Sequence, residues 1–466
     1  MRKKNIFFYG FDPHIYMKKI WDLLKDNDKF NAFKFNYELE DPEKVIKLYD
    51  DLKFKDFLAP SIHSSQFQKY FLSIQRRRGK DIELHESYCE WQILFSYFLN
   101  LLREKNIDIM IFANCPHQGI DTVLWYAAKE ANIETAFFWQ VPLFYSLEES
   151  HNIYGKFLFS SSMDDFELIY KNKDFKTLDK KVNLNENYRN LTISFLTSKK
   201  KKNAAFYEFL RTNKFYLFVG KYTFNHFARH VFALLTLKKS VRKHISYLKN
   251  LVESISIKNE NELDSFKPYI YFPLHQQPEL STSVLGGEFT EISDAIVLLA
   301  KYAKDRKINI LVKENPKQTH MQRSKNFFRR LLKNHNVKFV STSLSAEILI
   351  GNSSGIATIT GTTAIEAIFS NKYSLVFGNP WFKKCDAFFS YENDNDILRF
   401  LDAIELGDLN NGADTLNEFL FELSPKLCDG VVDPHYLTGS QKENFNITLS
   451  ETYKSILKCL NLKFVI

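Results

Sequence analysis

The sequence predicts an α/β protein of two Rossmann-like domains facing each other across a cleft. Three observations predict it. Apolar strands alternate with helices in two separate stretches, each strand runs into a polar turn, and a basic, mainly helical segment lies between the stretches. Alternation of this kind makes parallel sheets covered on both faces. With 466 residues the chain is too long for one ordinary core.

The first element is the apolar run in MRKKNIFFYGF, which stops before Asp12 and Pro13 and reads as a strand, not as a signal peptide. Next, 107–112 is an apolar strand ending in Asn114-Cys115-Pro116-His117-Gln118-Gly119. A helix follows with apolar residues at 120, 124, 127, 128 and 131, one helical face. The strand 135–139 then runs into Gln140-Val141-Pro142.

Between Thr197 and Asn250 stand 13 Lys/Arg against one acid, Glu208, so this segment carries +12 and the rest of the chain −4. After it comes YIYFPLHQQPELSTS (269–283), a strand that ends in a proline-stiffened set of hydrogen-bonding side chains. Ile292, Ile296, Leu299, Ala300 and Ala303 form the next helical face, and the strand 308–312 stops at Lys313-Glu314-Asn315-Pro316. Helical sequence around 321–334 leads to the strand 337–340. The strand 356–360 enters Gly361-Thr362-Thr363 and a helix at 364–370, and the strand 374–377 enters Gly378-Asn379-Pro380-Trp381. The expected divisions are 1–195, a basic linker 196–265, a second domain 266–439, and a C-terminal helix 440–466 that packs back on the first domain.

Composition narrows the function. A hydrophobic share of 45% and a charged share of 25% describe a globular chain. The 44 Phe residues accompany abundant Lys, Asn and Ile and carry no ligand argument. Five widely spaced cysteines without a C-x-x-C pair fit a reducing compartment and no structural zinc. No stretch approaches 18 uninterrupted apolar residues, so no membrane span is expected. The expected location is cytoplasmic, or peripheral on the inner membrane.

In open α/β sheets ligands bind beyond the carboxyl ends of the strands, and every polar cluster above follows such an end. The motifs FPLHQQPELST (272–282), ILVKENP (310–316), TITGTTAIEAI (358–368) and LVFGNPWF (375–382), in this order, resemble the bacterial capsule polysaccharide biosynthesis family. ANCPHQGID (113–121) is a weaker match. The resemblance implies a GT-B-like glycosyltransferase. Its donor would be a nucleotide sugar, CMP- or UDP/GDP-linked, and its acceptor a polysaccharide or lipid-linked glycan. Where relatives have His before the proline, this chain has Asn315, which can donate a hydrogen bond but carries no charge. A CMP-linked donor is less well supported for that reason.

Glycosyl transfer needs a stabilised leaving phosphate, a partner for the acceptor hydroxyl, and exclusion of water. Gly361, Thr362 and Thr363 are the expected phosphate cradle, with Glu366 on a ribose; the plain alternative is a Thr363-x-x-Glu366 capping box. Lys313 would neutralise phosphate charge and Glu314 orient it or meet a sugar hydroxyl, against an ordinary exposed ion pair. His275, Gln277 and Glu279 form the densest set, with His275 able to donate to phosphate or relay a proton. His275 and Glu279 as a metal pair is disfavoured by Pro278, and a loop held by its own hydrogen bonds is the plain reading. His117 and Asp121 are candidates for acceptor binding and the base, while Cys115, Asp12 and His14 are weaker ones. Asp394-Asn395-Asp396 has the look of a metal-binding D-x-D but reads as a helix start. No metal and no cofactor beyond the nucleotide sugar is expected.

The basic middle (199–249) suits an anionic membrane surface, with a solvated linker as the alternative; no nucleic-acid module accompanies it. Two rivals remain open: a sugar-nucleotide epimerase on the same fold, and a non-catalytic capsule export or assembly protein.

Overall fold

The computed structural model describes residues 2–11, 14–34, 67, 71, 84–146, 153–161, 239–407, 412–423, 427–434, 437 and 445–464. Residues 197–238, most of the basic segment, lie outside the described residues, as does Asp12. The chain divides into two compact units.

The first unit begins with β1 (Lys4–Tyr9), the helix Ile15–Lys25 and β2 (Phe30–Lys34). The helix Leu84–Glu104 follows, burying Trp91, Leu94, Phe95, Phe98, Leu99 and Leu102 at helical spacing. Next come β3 (Ile109–Phe112), the helix Ile120–Glu130, β4 (Glu134–Ser146) and β5 (Ile153–Ser160). β1 pairs in parallel with β2 and β3, and β3 with β4. β4 is far longer than the five-residue strand expected, because its later part pairs antiparallel with β5 across an irregularity between Val141 and Phe144. This sheet is therefore mixed and not purely parallel.

The second unit takes up the end of the basic segment. The helix Lys239–Ser254 buries Tyr247 and Leu251 in this unit's core, and β6 (Ile255–Ile257) is an edge strand. Then follow β7 (Tyr269–Pro273), the helices Leu280–Ser283 and Ile292–Asp305, β8 (Asn309–Lys313), the helix Lys325–Leu332 and β9 (Val337–Val340). The helix Ala346–Asn352 leads to β10 (Gly355–Thr358), the helix Thr363–Ile368, β11 (Tyr373–Val376), β12 (Phe389–Ser390) and the helix Asp394–Leu406. The order across the sheet is β12-β11-β10-β7-β8-β9-β6, and every pairing is parallel. From β7 the chain winds outward through β8 and β9, returns, and winds the other way through β10, β11 and β12. That is the doubly wound Rossmann order, and its switch point lies between β7 and β10. Both faces are covered, so Tyr269 to Phe272 are all buried. The predicted face Ile292, Ile296, Leu299, Ala300 and Ala303 is the one that packs on the sheet.

The helix Gly412–Leu423 carries the chain back to the first unit. β13 (Cys428–Asp429) pairs antiparallel with β5, completing the order β13-β5-β4-β3-β1-β2. In the helix Phe445–Phe464, Ile456, Cys459, Leu460 and Phe464 join the core made by Ile6, Phe8 and Ile20. Tyr16 Oη meets Thr452 Oγ1 at 2.7 Å inside it. Residues from Asn417 onward thus lie with the first sheet, where the sequence grammar had suggested a boundary at 439.

Candidate functional site

At the switch point of the second sheet, the loops after β7, β8, β10 and β11 are joined by hydrogen bonds. Leu274 N–H donates to the Lys313 carbonyl (2.9 Å), Thr360 Oγ1 to the Ser281 carbonyl (2.8 Å), and Asn379 N–H to the Leu285 carbonyl (2.7 Å). His275, Lys313 and the 361–363 turn stand on one rim, at the carboxyl ends of three adjacent strands.

His275 Nε2 accepts the Thr360 N–H (3.3 Å), so the neutral ring keeps its proton on Nδ1. That Nδ1 is buried and has no hydrogen-bond partner among the described residues. Burial, and then the Arg323 charge, push the imidazole down to about 4. A ring that stays neutral near pH 7 is no cation for a phosphate; it fixes the backbone at Thr360 instead. Gly361 is packed against the same ring. A Cβ there would lie 2.7 Å from Thr358 Oγ1 and 3.3 Å from His275 Nε2. Thr358 Oγ1 also accepts the Gly361 N–H (3.1 Å), tightening the turn further.

Thr362 is the N-cap of the helix Thr363–Ile368 and makes no side-chain cap bond. The Thr363-x-x-Glu366 capping box is therefore absent. Ala364, Ile365 and Glu366 N–H bond back to Gly361 and Thr362, whereas no acceptor among the described residues meets the N–H of Thr362 or Thr363. The helix has only six residues, so those two groups matter more than its dipole. Glu366 is half-buried in the first turn, and its charge helps hold the buried Tyr271 hydroxyl protonated.

Lys313 and Glu314 are neighbours on an extended chain, where successive side chains point to opposite sides. They do not pair. Lys313 Nζ donates to the Leu344 carbonyl. Glu314 turns inward, 1% exposed, onto Arg323, whose Nε donates to Glu314 Oε2 (2.8 Å) and Nη1 to Gln277 Oε1 (2.6 Å). Gln277, 1% exposed, also donates from Nε2 to the Thr290 carbonyl (2.7 Å). Asn315 Oδ1 accepts the Lys317 N–H (2.9 Å) and so is occupied by its own turn. Glu279 is the N-cap of Leu280–Ser283, where Thr282 Oγ1 accepts its N–H (3.4 Å).

In the first unit, His117 follows the end of β3, next to the divergence of β1 and β3. Its Nδ1 lies 2.6 Å from the Cys115 carbonyl, which makes Nδ1 the protonated nitrogen and Nε2 the accepting one, faced by Gln118 Nε2 at 3.4 Å. Asp121 is buried, and its oxygens accept N–H from His117 (2.8 Å), Gln118 (2.6 Å) and Thr122 (2.7 Å). It anchors the start of the helix Ile120–Glu130, entered through Gly119 at φ 97°. Cys115 is fully buried, and His14 caps its helix by accepting the Tyr16 N–H at Nδ1 (3.2 Å).

Asp394 begins a helix capped by Asn393; it accepts from the hydroxyls of Tyr302 and Tyr391, and Asp396 from the N–H of Glu392 (2.8 Å) and Asn393 (3.0 Å). These carboxylates are occupied in the fold. Among the described residues no cluster of three or more His, Cys, Asp or Glu is placed to hold a metal ion, and no helix is long and apolar enough to cross a membrane.

Sequence reasoning missed Arg323, Thr358, Thr360 and Gln318. Thr358 and Thr360 lie within the TITGTT motif and were readable as neighbours of Gly361. Arg323 and Gln318 follow no strand end and belong to no pattern.

No curated protein matches the chain. Among the solved structures similar to it are UDP-GlcNAc 2-epimerase from Methanocaldococcus jannaschii (13% identity, 91% of this chain and 99% of that one, TM-score 0.26), the KpsC beta Kdo 2,7 transferase of Thermosulfurimonas dismutans (9%, 90% and 100%, 0.32), and a glycosyltransferase from Rickettsia africae ESF-5 (11%, 98% and 100%, 0.27). Likenesses this loose leave the fold to be read from the strand order itself. The family model for capsule polysaccharide biosynthesis proteins matches residues 197–385, a stretch that contains the whole switch-point rim. Over that stretch the chain is similar to the capsule polysaccharide biosynthesis family.

Proposed function

We propose that this protein is a GT-B-type glycosyltransferase that moves a sugar from a nucleotide donor to a capsular polysaccharide or its lipid-linked primer. The observation that supports it best is the convergence of Lys313, His275 and the Gly361-Thr362-Thr363 turn at the switch point of a doubly wound sheet. There the Thr362 and Thr363 N–H groups would hold the leaving phosphate, and the Lys313 ammonium would neutralise it. His275 acts as a neutral strut that sets the turn. Glu366 would meet a ribose hydroxyl, and Asn315 and Glu279 would shape the walls. Gln277 and Glu314 act from beneath, through Arg323. In the first unit His117 Nε2 is the base for the acceptor hydroxyl, oriented by its Nδ1 contact and by Asp121. With the Asp394 and Asp396 carboxylates occupied in the fold, charge neutralisation falls to Lys313 and the turn.

The test is a calorimetric screen of CMP-, UDP- and GDP-linked sugars, followed by product analysis with and without an acceptor glycan. The expected outcome is binding of one class and sugar transfer that requires acceptor. A new nucleotide sugar formed without acceptor would make the protein an epimerase, and binding of none would leave it a non-catalytic capsule protein. The membrane association proposed for residues 199–249 is read by flotation with anionic liposomes, before and after neutralising Lys199 to Lys202, Lys238, Lys239, Arg242 and Lys243.

A further inference from the structure

Arg323 is among the largest fully buried side chains of the chain. Its ion pair with Glu314 is closed to solvent on both sides, with side chains 0% and 1% exposed. Such a pair contributes little net stability, because desolvation cancels most of the attraction; replacing both partners by apolar side chains is often neutral. Its geometry suggests another role. The guanidinium reaches Glu314 twice (Nε–Oε2 2.8 Å, Nη2–Oε1 3.4 Å), Gln277 Oε1 (2.6 Å) and the His275 carbonyl (3.1 Å), with a Nη1 contact to the Gln322 carbonyl (3.4 Å). The Phe327 ring lies under it, 4.4 Å from the guanidinium carbon.

These contacts bind the loops after β7 and β8 to a single group. Gln318 adds a reciprocal clasp, accepting the Gln277 N–H at Oε1 (2.8 Å) and donating to the Gln277 carbonyl (3.0 Å). From His275 the chain of contacts continues through Nε2 to Thr360 N–H and the packed Gly361. The five donors of a planar guanidinium suit this task, and a lysine ammonium does not reproduce that fork.

We propose that Arg323 is a positioning residue of the donor site, holding the β7 and β8 loops as one unit so that His275 keeps the 360–363 turn in its binding shape. The proposal rests on the donor-binding reading above, and Arg323 itself touches no substrate.

The test compares the full-length wild type with Arg323→Met/Glu314→Met, which removes both buried charges together, and with Arg323→Lys. Three quantities are read: melting temperature, Kd for the nucleotide sugar bound by the wild type, and amide exchange of Thr360 to Thr363. The double variant is expected to stay folded but to melt below the wild type, because Gln277 Oε1 and the His275 carbonyl lose their donor, to bind the donor at least tenfold more weakly, and to exchange faster at Thr360. Arg323→Lys is expected to bind weakly as well. An unchanged Kd and unchanged Thr360 exchange in a folded double variant would overturn the proposal, as would full rescue of binding by Arg323→Lys. If the wild type binds no nucleotide sugar, the donor-binding reading fails on that result. Thr360 exchange then decides the structural half: faster exchange supports the hold of Arg323 on the turn, and unchanged exchange removes it.

Discussion

The two sheets diverge at comparable places, between β1 and β3 and between β7 and β10, yet they treat the backbone N–H groups there in opposite ways. In the first unit the Asp121 carboxylate takes the N–H of His117, Gln118 and Thr122, so the start of that helix already holds a negative charge. In the second, Thr362 offers no side-chain cap, and the nearby side chains bond to one another or to the turn from below. A helix start whose N–H groups are taken by a carboxylate has no place for a phosphate; in the second helix Glu366 also lies in the first turn, but no acceptor among the described residues meets the N–H of Thr362 or Thr363. On the proposed function the anion would lie at the second sheet, and His117 of the first would serve the uncharged acceptor hydroxyl.

The largest effect should come from filling the space that keeps the second turn open. In Gly361→Val the new side chain starts 2.7 Å from Thr358 Oγ1 and 3.3 Å from the His275 ring, so the turn must move. Donor affinity should drop about 100-fold, an effect of roughly 3 kcal/mol, with the far-ultraviolet circular dichroism retained. Unchanged affinity would break the contrast between the sheets. Asp121→Ala tests its other side. Removing an acceptor shared by three N–H groups should cost about 2 kcal/mol of stability, seen as a lower urea midpoint, with donor Kd untouched. Donor binding lost in this variant while the fold persists would move the anion site to the first sheet. Lys313→Met should be milder, about tenfold in donor Kd, and the salt dependence of binding should flatten as the ammonium disappears.

Much of this contrast was legible in the sequence. The alternation of apolar runs and helical faces gave the second sheet almost strand for strand, because a parallel strand buried on both faces is a short continuous apolar word. β5 and β13 escaped: β5 folds back antiparallel on β4 and so breaks the strand-helix-strand grammar, and β13, an edge strand from a distant part of the chain, is only the two residues Cys428–Asp429. The rim itself was readable from strand ends, but the partners were not. Lys313 and Glu314 looked like a pair because they are adjacent, and the pleat separates them. Arg323 looked like one basic residue among many. Its burial follows from three-dimensional closure of the β8 loop, which no spacing encodes.

The smallest effect, and the one that most sharpens the role of His275, is a pH dependence. The folded ring sits near 4, below the 6.5 of an open chain, with burial the main cause and Arg323 the second. The unfolded chain therefore binds the extra proton first, and stability falls as pH drops through the window from about 6.5 toward 4. Between pH 7 and pH 5.5 the loss should be about 1 kcal/mol from this residue. His275→Gln keeps an acceptor for Thr360 N–H and titrates nothing, so its urea midpoint should fall less than the wild type's over the same interval. Equal slopes for the two proteins would mean that the ring is solvated in solution, and the neutral strut at the base of the 360–363 turn would go with it.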